Sequence, residues 1–291
     1  MPSKVVLLGA SGCFGHMAAA VLGGTQTVLA CGRRPGLVPF SVDDSDDKLR
    51  QLLLRAGPGA VVVNAIAMLA SDIRADDAAS LERAIQTNAL FPQRLSRLAS
   101  EEGARVLHVS TDAVFSANRG WISEDDAPDP EDAYGRSKLL GESGAGHVLS
   151  LRCSIVGPDP SRRRGLWEWL ASQPRGARLR GFTDQLWSGL TTRQLALACA
   201  ALLPAEAFAR ARAAGPVLHV APNPVLSKFQ LLSALGAVLR PDLIVEPAEA
   251  SKPACRLLKS RSPGLIPLST EGWPAELAAM LGQLPTTPTL H

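Results

Sequence analysis

Two side chains in the stretch Tyr134-Gly135-Arg136-Ser137-Lys138 could move a proton between them. A spacing of four puts a tyrosine and a lysine on one helical face, one turn apart. An ammonium beside a phenol favours the phenolate and lowers the tyrosine pKa, so that the pair could work as acid or base near neutrality. Tyr134 is the only tyrosine in the chain. The spacing alone is common, and its meaning depends on what surrounds it. A further hydroxyl lies in Ser110-Thr111-Asp112, where the apolar run from Arg105 to Ser110 reads as a strand. Thr111, just past the end of that strand, could donate a hydrogen bond to a substrate oxygen; it could also simply cap the loop.

A third group could hold an anion. Gly9-Ala10-Ser11-Gly12-Cys13-Phe14-Gly15 joins the apolar run Val5-Val6-Leu7-Leu8 to a helical stretch from His16 to Leu22. In a strand, turn and helix of this kind Gly9 permits the tight turn, Gly12 lets a pyrophosphate approach the backbone, and Gly15 lets the helix pack closely. Ser11, Cys13 and Phe14 complete a phosphate-binding loop at the helix N-terminus, where free N–H groups and the dipole favour negative charge. The next strand, Thr27 to Cys31, ends in Gly32-Arg33-Arg34 rather than an acid. Arginines at Arg33 and Arg34 suit a 2′-phosphate, which favours NADP(H) over NADH. Asp43, after a third run at Val38 to Ser41, is placed to meet an adenine amino group. A fourth run, Ala60 to Asn64, continues into Ala65-Ile66-Ala67, small residues where a cofactor would pass. Asn88 is a polar residue within the long helical stretch Ala78 to Glu102, which Pro92 could kink or break.

The elements that would position these groups alternate. Apolar runs ending near Leu8, Cys31, Ser41, Asn64, Ser110, Cys153 and Val220 are separated largely by helical stretches. That pattern predicts an α/β, Rossmann-type, doubly wound parallel sheet of about seven strands. The expected division is a cofactor domain of residues 1–157 with 190–221, and a smaller C-terminal substrate lobe of 158–189 with 222–291. Beyond Gly157-Pro158 the pattern loosens, and Gln283 to His291 reads as frayed.

Composition excludes several classes. The net charge of +3 over 291 residues is weak and dispersed, which argues against nucleic acid. The cluster Arg162-Arg163-Arg164 reads as a solvated loop. Five scattered cysteines with no C-x-x-C read as thiols in a reducing compartment, and the five histidines lack ligand spacing, so no metal site is expected. No run is long enough to span a membrane, and Lys4 is followed by only four apolar residues before a glycine, so neither a signal peptide nor a membrane is expected. These features suit a cytoplasmic protein.

Together, the glycine turn, Asn64-Ala65-Ile66-Ala67, Ser110-Thr111-Asp112 and Tyr134-x-x-x-Lys138 resemble the extended short-chain dehydrogenase/reductases. Ser110-Thr111-Asp112-x-Val114-Phe115, Tyr134-Gly135-x-Ser137-Lys138-Leu139-x-Gly141-Glu142, Leu151-Arg152-x-Ser154-x-Val156 and Asp184-Gln185 are similar to the dTDP-4-dehydrorhamnose reductase branch. The resemblance is dense from Lys4 to Gly157 and thin afterwards. It implies that Tyr134 protonates a sugar ketone as NADPH delivers hydride, that Thr111 holds the same oxygen, and that Lys138 binds the nicotinamide ribose and tunes Tyr134. Tyr134 and Lys138 thereby count among the cofactor contacts with Asn64 and Asn88. It further implies a nucleotide-sugar pocket near Asp112, Ala113, Ser154, Asp184, Gln185 and Trp187.

Three positions depart from the branch: Ala113 stands in place of an aromatic, Ile155 in place of a tryptophan, and the loop Asp184 to Thr191 is longer and lacks a proline. Trp187 could offer a stacking surface or anchor the loop. Other readings are a non-catalytic NADP-binding regulatory subunit, and a nucleotide-sugar epimerase or dehydratase of the same fold. Ala113 cannot move a proton where dehydratases of the family keep an acid. Relatives commonly form homodimers, and a dimer is in keeping with the resemblance.

Overall fold

The computed structural model describes residues 4–221, 224–266 and 272–283. The expected frayed tail beyond Gln283 lies outside them. Seven parallel strands form the main sheet: β1 (Lys4–Leu8), β2 (Thr27–Gly32), β3 (Val38–Pro39), β4 (Val61–Asn64), β5 (Arg105–Val109), β6 (Val148–Arg152) and β7 (Val217–His219). Their order is β3-β2-β1-β4-β5-β6-β7. From β1 the chain runs outward to β3 and then returns to β4, so a crevice opens past the carboxyl ends of β1 and β4, the usual place for a ligand. The runs at Val5 to Leu8 and Val61 to Val63 are wholly buried because helices cover both faces of the sheet.

One face is covered by α1 (Gly15–Gly23) and the helix Thr192–Leu202, with Ala18, Leu22, Leu195 and Cys199 against Val5, Leu7 and Leu149. The other is covered by α2 (Asp46–Ala56) and a long helical passage of α3 (Ala78–Ile85), a π-helical turn Gln86–Leu90 and α4 (Phe91–Glu101). Pro92 has no N–H to offer the Asn88 carbonyl four residues back, which accounts for the widened turn. The long helical stretch is thus interrupted, as Pro92 allowed, at the turn where Asn88 sits. Into the break packs α5 (Ala133–Leu140), followed at once by Gly141; a Cβ on Gly141 would lie 2.1 Å from the Asn88 carbonyl oxygen.

A smaller four-stranded sheet runs Leu226–Ser227, Gln185–Trp187, Ala254–Leu258, Gly120–Ile122. The last strand comes from within residues 1–157, the expected cofactor domain, so this lobe borrows a strand from the segment between β5 and α5. Its own core holds Trp167, Trp187, Leu231, Leu235, Trp273 and Leu277, and Met17 of α1 and Val156 join it to the first lobe. The helices after Thr191 and Ser227 both open with capping boxes. Among the described residues no single helix is long and apolar enough to cross a membrane.

Candidate active site

The crevice past β1 and β4 leads into a cavity of about 760 Å³. One wall is the glycine turn, with Gly9, Ser11, Gly12, Cys13 and Phe14; the opposite wall is Ala65-Ile66-Ala67. The turn fits a dinucleotide pyrophosphate. Gly9 has φ of 86°, and a Cβ there would stand 3.0 Å from the Ala65 carbonyl carbon, so only glycine leaves this approach open. Gly15 lets α1 begin directly against the turn, since a Cβ on it would meet the Gly9 oxygen at 2.0 Å. No side chain caps the start of α1, which leaves its N-terminal end to an anion.

At one end of the cavity stand Arg33 and Arg83, with Phe40, Ser41 and Val42. Arg83 comes from α3, fifty residues after Arg33, and the sequence reading missed it. Asp43, expected on adenine, instead takes Arg83 in a two-pronged pair at 2.7 and 2.9 Å and does not line the cavity. Arg34 also turns away: its guanidinium donates to the carbonyls of Pro160 and Ser161, each at 3.0 Å. The 2′-phosphate expectation therefore rests on Arg33, with Arg83 beside it.

At the other end lie Thr111, Asp112, Tyr134 and Lys138. Thr111 lies two residues past β5 and Tyr134 sits in the first turn of α5, whose N-cap Asp132 accepts from the Gly135 N–H at 2.7 Å. Gly135 brings this helix onto the loop after β5, since a Cβ there would meet the Ala113 oxygen at 2.1 Å. That closeness sets the Tyr134 phenol beside the Thr111 hydroxyl, which donates to Asp112 at 3.2 Å and accepts from the Ala113 N–H at 3.1 Å. Lys138 is buried and its Nζ donates to the Val109 carbonyl at 2.7 Å. Burial lowers its pKa to about 8, with Glu142 and Cys153 opposing.

Tyr134 does not show the lowered pKa expected from a neighbouring lysine. Burial pushes its phenol well above the ordinary value, eased by the neighbouring Thr111 hydroxyl and reinforced by Asp112. Lysine and tyrosine share the helix face, but the ammonium is engaged by the Val109 carbonyl. The phenol is thus held as an acid. Asp112 is half-buried against Thr111 and its carboxyl is pushed up by desolvation, with Arg256 at 3.8 Å opposing.

The family motifs interlock. Glu142 pairs with Arg152 at 2.7 Å, both nearly buried, and also accepts from Ser110 at 2.7 Å. One carboxylate therefore ties the end of α5 to β6 and to the Ser110-Thr111 corner. A second cavity, about 740 Å³, adjoins the first at Cys13, Leu69, Ser154, Ile155, Asp159 and Arg164. It extends toward Trp169, Trp187 and Lys228. The segment 159–164 lies between the two. Arg162, Arg163 and Arg164 are exposed, in keeping with the solvated loop read from their charge, but Arg162 and Arg164 both pair with Asp72, so the loop also straps the crevice.

Residues 3–263 match the family model for the RmlD substrate binding domain. The dTDP-4-dehydrorhamnose reductase of Mycobacterium tuberculosis is 31% identical over 306 residues, covering 96% of this chain and 92% of the relative. The chain belongs to this reductase family. The solved Bacillus anthracis dTDP-4-dehydrorhamnose reductase in complex with NADP shares the fold, with a TM-score of 0.76 at 17% identity over 97% of this chain and 100% of that one. MoeE5 in complex with UDP-glucuronic acid and NAD also shares it, with a TM-score of 0.71 at 22% identity over 96% and 98%.

Within this member of the reductase family, several residues expected to touch ligand instead hold the frame. Asn88 accepts from the Met68 N–H at 2.8 Å and donates to the Met68 carbonyl at 2.9 Å and to Ser137 at 3.1 Å, so it pins α5 to the loop after β4. Asn64 is buried behind the cavity wall. Ala113 presents its backbone to Gly135. Asp184 accepts from the Ala250 N–H at 2.9 Å and Gln185 donates to the Lys252 carbonyl at 3.2 Å; neither lines either of these two cavities.

Ser154 lines both cavities and accepts from the Trp187 indole N–H at 2.8 Å. The Trp187 ring is hemmed by Lys228 at 5.6 Å and Trp273 at 5.3 Å, so it anchors the loop as a built-in wall. Lys228 was not singled out in the sequence. It follows the capping serine of its helix and gives no local sign of facing a site.

Proposed function

We infer that this protein is an NADPH-dependent reductase of a nucleotide-linked sugar ketone, a 4-keto-6-deoxysugar on the model of its relatives. One observation carries the reading: Thr111, Tyr134 and Lys138 meet at one end of a cavity whose middle is a pyrophosphate turn and whose other end holds Arg33 and Arg83. That is the layout a ketone reductase needs along an extended NADPH. When bound, NADPH supplies the hydride.

The chain's own residues do the rest. Thr111 and Tyr134 offer two hydroxyls to one carbonyl oxygen. As negative charge develops on that oxygen, the Tyr134 phenol gives up its proton to it, and its raised pKa keeps the proton in place until then. Lys138 lines the same end, where its nitrogen can hold the nicotinamide ribose. Orientation in a fixed cavity provides the remaining advantage. The adjoining cavity, with Arg163, Arg164 and Lys228, has the cations to receive the diphosphate of a nucleotide sugar. The five free thiols suit a cytoplasmic home for the protein.

The test is a panel of dTDP- and UDP-linked 4-keto sugars, followed by NADPH absorbance. Consumption should need such a ketone and should be nearly abolished in Tyr134→Phe. Full activity in Tyr134→Phe would remove the tyrosine from its role, and no consumption across the panel would favour a cofactor-binding subunit.

A further inference from the structure

Behind Lys138 runs a buried polar row that the reduction as described does not use. The backbone N–H of Ile66 can only donate, so the Asn64 oxygen faces it, at 3.2 Å. The Asn64 amide nitrogen therefore faces His108 Nδ1, at 3.1 Å. That ring nitrogen has to accept. His108 is wholly buried, and burial followed by the charge of Lys138 holds its pKa well below the ordinary value, so the ring is neutral. A neutral imidazole whose Nδ1 accepts carries its proton on Nε2. Nε2 stands 3.4 Å from Lys138 Nζ, which also donates to the Val109 carbonyl.

An N–H is thus aimed at a nitrogen that, as an ammonium, has no lone pair to accept it. As an amine, the same nitrogen would donate to Val109 and accept from His108. The other tautomer would require the Asn64 amide to flip and set its nitrogen against the Ile66 N–H. The remaining titratable neighbours are few. They are Tyr134 one turn back on α5, Cys153 just past β6, and Glu142 after α5, whose carboxylate is already shared by Arg152 and Ser110.

We propose that Asn64 locks His108 in its Nε2–H tautomer, and that His108 so held is the positioning residue that biases Lys138 toward its amine. The proposal deepens the reductase reading and rests on it for the role of Lys138; the tautomer stands apart from it.

The experiment joins two readouts on the full chain. Nitrogen-15 spectra of the histidine-labelled wild type should show His108 unprotonated at Nδ1 and protonated at Nε2 across the neutral range. The kcat–pH profile with a reducible keto-sugar should move its alkaline limb up by about one pH unit in Asn64→Asp, because an oxygen facing Nδ1 turns the ring and lets Nε2 accept from the ammonium. The new carboxylate also adds charge, so His108→Leu serves as the second variant. It deletes the opposing N–H without adding charge, and the limb should again move up. A merely structural histidine would lower kcat and leave the limb in place. An Nδ1–H tautomer in the wild type, or an alkaline limb unmoved in both variants, would overturn the proposal. A wild type that shows the Nε2–H spectrum but reduces no keto-sugar would support the lock and overturn the reductase reading.

Discussion

Gly135→Ala separates packing from helix propensity with opposite signs. In an exposed helix interior, alanine is favoured over glycine by about 1 kcal/mol, so on local grounds the variant should be the more stable protein. Position 135 is buried, however, and a new Cβ would stand 2.1 Å from the Ala113 oxygen, 2.9 Å from Pro130 Cβ and 3.0 Å from the Ala113 carbonyl carbon. Ordinary contact begins near 3.4 Å. Helix and loop must therefore part by more than about 1 Å, a displacement that at a reacting group can cost about 100-fold in rate. Overpacking of this kind costs about 1–3 kcal/mol, which outweighs the propensity gain.

Because Tyr134 precedes Gly135 and Thr111 lies two residues before Ala113, the shift separates the two hydroxyls proposed to hold the ketone. The expected result is a loss of about 100-fold in kcat with a Tm lowered by several degrees, and Arg136→Ala, at the adjacent exposed position, near wild type in both. Thermal unfolding and NADPH oxidation on a saturating keto-sugar give the two numbers. If Gly135→Ala matched or exceeded the wild type in Tm and kept its kcat, the account of how α5 is seated would be wrong.

Arg33→Ala should raise the KM for NADPH by about 10- to 100-fold, the worth of a charge-assisted contact, and leave the KM for NADH little changed; equal effects on both cofactors would place the 2′-phosphate elsewhere. Glu142→Ala strands the buried Arg152 charge and should cost about 3–5 kcal/mol in urea unfolding, whereas a loss below about 1 kcal/mol would mean the pair behaves as an exposed one. With Lys138 lowered to about 8, kcat should fall as pH rises through that value, because the ammonium is lost there. By linkage, the folded chain releases this proton before the unfolded chain does. Its contribution to stability therefore rises between about pH 8 and the ordinary lysine value of 10.5, which unfolding midpoints at several pH values would show.

What the sequence made legible was local. A glycine turn between strand and helix, a hydroxyl at a strand end, and a tyrosine and lysine one turn apart each carry their geometry in a few neighbouring residues. The strands of the main sheet were legible for the same reason, as short apolar runs between helical stretches. The misplaced residues depend on partners far along the chain. Asn88 is a polar residue near a proline until the fold sets it between Met68 and Ser137. Asp43 looks available until Arg83 arrives from α3. Arg162 and Arg164 are solvated as read, but their shared partner Asp72, some ninety residues earlier, could not be read from the cluster. The small lobe was least legible because its strands are short and one comes from the segment between β5 and α5. Asp184 and Gln185 serve that lobe's internal hydrogen bonds, which no local spacing discloses.

The central claim is that Tyr134, Thr111 and Lys138 complete a hydride transfer from NADPH to a nucleotide-linked ketone. It is met most directly by giving the protein NADPH deuterated at the transferred position together with each 4-keto sugar. The account predicts a reduced sugar one mass unit heavier, with deuterium on the former carbonyl carbon, and no such product from Tyr134→Phe. Tight NADPH binding with the label never leaving the cofactor, whichever ketone is offered, would contradict it.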